Sequence, residues 1–113
     1  MEFTLHFLHA FFIDLVYAAP LLAFFIMLIV FIGLLIGKIE GWSKWDSLYH
    51  AFINATTVGY GDIRPARKSS RMLAVVLAFV GIVFAGIVVA IALHAADSAY
   101  GELYKMIELQ KHG

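Results

Sequence analysis

Thr56-Thr57-Val58-Gly59-Tyr60-Gly61-Asp62 decides how this chain is read. The stretch lies between two long apolar segments and carries no nucleophile–base pair, no cluster of metal-ligating side chains and no phosphate loop. What it offers is backbone. Gly59 and Gly61 alternate with Val58 and Tyr60, and glycine takes φ > 0 at little steric cost. Such an alternation lets successive carbonyls face one side of an extended strand. The Thr57 hydroxyl adds one more oxygen at the foot of that row. A row of neutral oxygens suits a weakly held monovalent cation, whereas a divalent ion would want carboxylates.

Composition bounds the alternatives. Of 113 residues, 63% are apolar, against roughly 45–50% in a soluble domain. Lys and Arg balance Asp and Glu at eight each, so a basic surface for nucleic acid is not expected. No constellation supports an enzyme or a site for a small-molecule substrate. The length leaves room for one domain, and the absence of cysteine leaves the redox compartment open.

Working outward, Tyr17 to Gly37 is uncharged for about 21 residues and Met72 to Ala96 for about 25, each enough to cross a bilayer. Lys38 and Glu40 stop the first span, and Trp42 and Trp45 fit an aromatic belt beside it. Upstream, the apolar run from Phe3 continues too far for one crossing, so a break is expected at Asp14 or Pro20. Residues 1–16 carry Glu2, His6, His9 and Asp14 and do not have the basic start of a secretory signal. They read as an amphipathic helix lying in the interface or as an extension of the first span. The first span is Leu, Ile, Phe and Val all round, as a lipid-facing helix would be. The second is rich in Gly and Ala, which favours close helix packing. Between them, Ser43-Lys44-Trp45-Asp46 has the form of a capping box, so a short helix should begin near Lys44 and run to about Thr56. A short helix followed by a glycine strand at membrane depth is tolerated where protein or water surrounds it.

Set in that hairpin, the six residues Thr57 to Asp62 resemble the selectivity filter of the potassium channels, and the chain resembles the two-transmembrane pore of that family in its prokaryotic form. The resemblance implies an all-α membrane protein in which two transmembrane helices flank a re-entrant pore helix and an extended filter, assembled as a four-fold homotetramer. The single pore domain, 1–113, would divide into the interfacial segment 1–16, an outer helix 17–38, a pore helix 43–56, the filter 57–62, an inner helix 71–97 and a cytoplasmic tail 98–113. Backbone carbonyls of Thr57, Val58, Gly59 and Tyr60, with the Thr57 hydroxyl, would coordinate K+ as the permeant ion. Val58 and Tyr60 side chains would wedge the strand against the pore helix, and Gly61 and Asp62 would complete the outer mouth.

The sequence departs from some bacterial relatives at Ile53, where they carry an acid, and at Tyr49 and His50, where they carry tryptophans. Tyr49 is therefore expected to bond Asp62. His50 either braces the Tyr60 hydroxyl or sits at the interface with no special partner. Arg64, two residues beyond Asp62, would place a cationic ring near the outer mouth and weaken block by external tetraethylammonium. Lys38, Lys44, Arg64, Arg67, Lys68 and Arg71 all lie between the spans, which the positive-inside rule would put in the cytoplasm. The filter resemblance implies the opposite and is the more specific signal.

On the second span, Gly81 follows Gly61 at the family's spacing for a hinge glycine, with Gly86 behind it; both can equally serve close packing. Ile82, Ala85, Val89, Leu93 and Asp97 form one helical stripe that would line the cavity and inner mouth. Asp97 is either an acidic ring at the entrance or a solvated helix-end charge. His94, with His6 and His9, invites proton sensitivity. From Ser98 the chain turns polar and reads as a short amphipathic helix.

The reading is a potassium-selective channel of the plasma membrane, multi-pass with both termini cytoplasmic, conducting K+ passively in a lipid bilayer. The alternatives are a less selective cation channel on the same scaffold and a non-conducting membrane anchor or assembly subunit. Relatives of lower selectivity lose the Tyr or alter the final Asp; Tyr60 and Asp62 are both present here.

Overall fold

The structure, a computed structural model, describes residues 2–112 and is all-helical. Its elements are α1 (Glu2–Glu40), α2 (Lys44–Ala55) and α3 (Lys68–His112). The first and third are each long and apolar enough to cross a membrane. By contact, the chain divides into two compact units, Leu21–Gly86 and Met1–Pro20 with Ile87–Gly113.

The unit Leu21–Gly86 has an apolar core. Ile29, Ile32 and Ile36 of α1, Ala51 and Ala55 of α2 and Leu77 of α3 are buried together, with Trp42, Leu73 and Phe84 packed at the margin. Small residues set the spacing. A Cβ on Gly33 would overlap the Ala51 methyl, and one on Gly37 would overlap the Ser47 side chain. α1 therefore meets α2 through glycines, and the expectation that its whole surface faces lipid is corrected. The helix ends on Gly41, at φ 77°, with the Trp42 N–H donating to the Gly37 carbonyl at 2.8 Å. That geometry satisfies a carbonyl the helix end would otherwise orphan. Chain direction is reset at once, because Ser43 caps α2. The Asp46 N–H donates to Ser43 Oγ at 3.1 Å, and the Ser47 hydroxyl donates to the Ser43 carbonyl at 2.7 Å.

The unit formed by 2–20 and 87–112 is thinner. Ala95 and Ala99 are its buried residues among the described ones. Asp14 Oδ2 pairs with His94 Nδ1 at 2.8 Å, and Phe3 meets Tyr100 with ring centroids 4.7 Å apart. The break expected at Asp14 or Pro20 does not occur: α1 is one helix through both, and 2–16 is not a separate helix. Asp14 suggested a break because it is a charge in an apolar run, yet its charge has a partner on α3. Pro20 forfeits the one bond that the Val16 carbonyl would accept, whereas ending a helix in an apolar setting would strand several backbone groups. The tail is likewise not a separate helix. Residues 98–112 continue α3 without interruption, with Lys105–Glu102 and His112–Glu108 side-chain pairs along it.

Candidate functional site

The site is the irregular segment between α2 and α3, and the last turn of α2 holds its beginning. Thr56 caps that turn, with both its N–H and its hydroxyl donating to the Phe52 carbonyl, at 2.9 and 2.6 Å. Beyond it, the Thr57 N–H donates to the Asn54 carbonyl and the Gly59 N–H to the Ile53 carbonyl, each at 3.1 Å. The irregular segment is therefore tied back to the end of the helix through two successive carbonyls.

Backbone φ is positive at Thr57 (67°), Gly59 (56°) and Gly61 (80°), every second residue. At the glycines this is free of steric cost. At Thr57 it is not. A β-branched residue in the left-handed region stores on the order of 1–3 kcal/mol and persists only where its surroundings over-determine it. Alternating handedness of this kind aligns peptide groups, so that N–H donors gather on one side of the chain and carbonyls on the other. Chemically, such a strand can offer a cation neutral oxygens and no formal charge of its own.

Behind the strand lies a cavity of about 130 Å³, bordered by Tyr49, His50, Gly59, Gly61, Asp62 and Arg64. The Tyr49 phenol is pushed up from its ordinary value, first by loss of solvent around it and then by the Asp62 carboxylate near it. The expected Tyr49–Asp62 bond is not among the hydrogen bonds of the described residues. Burial pushes His50 down, with the Asp62 charge opposing. His50 packs edge-on against Trp42 at 5.1 Å, and its Nδ1 is buried with no hydrogen-bond partner among the described residues. Tyr60 is exposed, so the chain by itself does not join His50 to the Tyr60 hydroxyl. Val58 is half-exposed as well. Neither side chain is buried against α2 of its own chain, and the expected wedge is not formed within one chain.

On α3 the residues singled out by spacing separate cleanly. Gly81 is buried, and a Cβ there would overlap the Ala55 backbone at the foot of the strand, a close approach that glycine alone permits. Gly86 faces open space. Ile82, Ala85, Val89, Leu93 and Asp97 all lie on surface that the chain leaves uncovered. Two residues escaped the sequence reading. Asn54 donates from Nδ2 to the Ala74 carbonyl of α3 at 2.9 Å; an amide within Ala51-Phe52-Ile53-Asn54-Ala55 was the available signal. Glu40 accepts from the Ala66 N–H, tying the end of α1 to the segment before α3. Nothing local in the sequence marks that second contact.

The family model described as "Ion channel" matches residues 8–97. The TWiK family of potassium channels protein 7 of Caenorhabditis elegans is 38% identical over 61 residues, covering 54% of this chain and 11% of that protein. Two-pore potassium channel 1 of Arabidopsis thaliana is 46% identical over 41 residues, 36% of this chain and 11% of that protein. Two pore potassium channel b of Oryza sativa subsp. japonica is 42% identical over 41 residues, 36% of this chain and 12% of that protein. The chain thus spans only 11–12% of the length of these relatives. No solved structure matches it significantly.

Proposed function

From the premise that this chain belongs to the ion channel family, we propose that it forms a potassium-selective pore and conducts K+ passively down its electrochemical gradient. One chain supplies one wall, so the path lies on the axis of a four-fold homotetramer in the plasma membrane. In this reading α2 is a re-entrant pore helix, residues 57–62 are the filter, and α1 and α3 are the outer and inner helices. The carbonyls of Thr57, Val58, Gly59 and Tyr60, with the Thr57 hydroxyl, replace the hydration shell of K+. The C-terminal end of α2 turns its partial negative charge toward the ion below. Both termini are cytoplasmic. The uncovered α3 stripe from Ile82 to Asp97 lines the cavity and inner mouth, and Asp97 concentrates cations at the entrance.

One observation carries the reading: positive φ at Thr57, Gly59 and Gly61 in alternation, within a chain whose relatives are named as potassium channels. Left-handed backbone at Thr57 alone would be an ordinary helix ending. Its recurrence at Gly59 and Gly61 is what sets the segment apart from a simple turn. The uncovered side chains of Val58 and Tyr60 accord with neighbours supplied by other copies. The test is purified protein in planar bilayers, with potassium on one side and sodium on the other. A reversal potential near that of potassium is expected. Equal passage of the two ions, or a monomer in lipid, overturns the proposal.

A further inference from the structure

Asn54 is a junction. Its main-chain carbonyl receives the Thr57 N–H at 3.1 Å, and its side chain donates to the Ala74 carbonyl at 2.9 Å. One residue therefore holds both the strained first position of the strand and the backbone of α3. The neighbouring residue repeats the grip without polarity, because the Ala55 backbone abuts Gly81, one heptad beyond Ala74 on α3. The two contacts sit at successive residues of α2 and on one face of α3.

Strain makes this placement consequential. Thr57 stays at φ 67° only while its surroundings over-determine it. Its own hydroxyl makes no hydrogen bond among the described residues, so the tie through its N–H to Asn54 is the fastening it has. The amide of Asn54 is in turn held in place by α3. A shift of α3 along or away from α2 therefore pulls through the side chain on the same residue whose main-chain carbonyl fastens Thr57.

We propose that Asn54 is a positioning residue, which registers the strand Thr57–Asp62 against α3 and so sets its ion selectivity according to where α3 stands. This rests on the pore reading above. It makes the spacing of the Thr57 oxygens depend on one amide-to-carbonyl bond outside the strand. It also gives movement of α3 a direct route to the ion path.

The test compares Asn54→Leu and Asn54→Asp with Asn54→Gln, reading the K+/Na+ permeability ratio of assembled channels alongside the fraction that assembles. Leu keeps the bulk and loses the donor. Asp keeps the shape, but its carboxylate cannot donate and repels the Ala74 carbonyl. Gln restores a donor. The ratio should fall roughly tenfold in the Leu and Asp variants, the scale of one lost hydrogen bond, and recover in large part in the Gln variant. Gly81→Ala, which forces α3 off Ala55, should lower the ratio in the same direction. A wild-type ratio in assembled Leu or Asp channels overturns the proposal. So does failure of all three Asn54 variants to assemble, which would make Asn54 a folding residue only. A wild-type protein that does not prefer potassium fails at an earlier point, and the pore reading falls with it.

Discussion

The two units of this chain are built to different standards of packing. In Leu21–Gly86, glycines on α1 and α3 lie directly against Ser47, Ala51 and Ala55 of α2, and the cap of α2 and the end of α1 are both satisfied. In 2–20 with 87–112, the contacts among the described residues include the Asp14–His94 pair, the Phe3–Tyr100 ring contact and two buried alanines. Close packing is nearly incompressible, and it is concentrated where a strained strand must be held. The sparser unit has little that would resist a shift of one helix along the other.

This contrast breaks most readily at its glycines. Gly37→Ala puts a methyl where the Ser47 side chain lies and should cost about 1–3 kcal/mol. Gly101→Ala meets open space and should stabilise α3 by about 0.5–1 kcal/mol. Thermal unfolding in detergent reads both, and equal effects at the two sites would abolish the distinction. A smaller loss is expected from Ser43→Ala, about 1 kcal/mol, through the N-cap of α2.

Acid should sharpen the contrast next. His50 is kept neutral by burial and titrates below its ordinary 6.5 in the folded chain. Between its folded value and 6.5 the unfolded state binds the proton more readily, so stability is full above 6.5 and falls as pH drops through that window. His50→Gln should flatten the fall, seen as unfolding temperature against pH; an unchanged slope would clear His50 of the effect. The slightest effect belongs to Asp14→Asn in the sparse unit. It should leave the unfolding temperature unresolved from wild type, yet raise amide exchange over residues 2–14 by loosening the hold of His94. Unchanged exchange would show the pair to be incidental.

Much of the fold was legible because its signals are local. The apolar runs mark α1 and α3, and Ser43 with Asp46 marks the start of α2. The failures share a cause. Asp14 read as a break because its partner, His94, is distant in sequence, and nothing near Asp14 announces it. Gly33 and Gly37 vanished into a run of large apolar residues, although their four-residue spacing matches that of Ser47 and Ala51. At the site, Gly59 and Gly61 pointed to left-handed backbone directly. Thr57 could not, because β-branched residues avoid that region; it is the position just past the cap of α2, with its N–H bonded to the Asn54 carbonyl, that places it there.

One row of side chains leaves a trace in how such a protein can diverge. Ser47, Ala51 and Ala55 recur every fourth residue on α2, and each sits opposite a glycine of another helix. No slack remains for either member of a pair to enlarge by itself. Over generations these three positions are expected to drift only among the smallest residues, while outward-facing neighbours such as Trp45 and Phe52 vary freely with the lipid or subunit they meet.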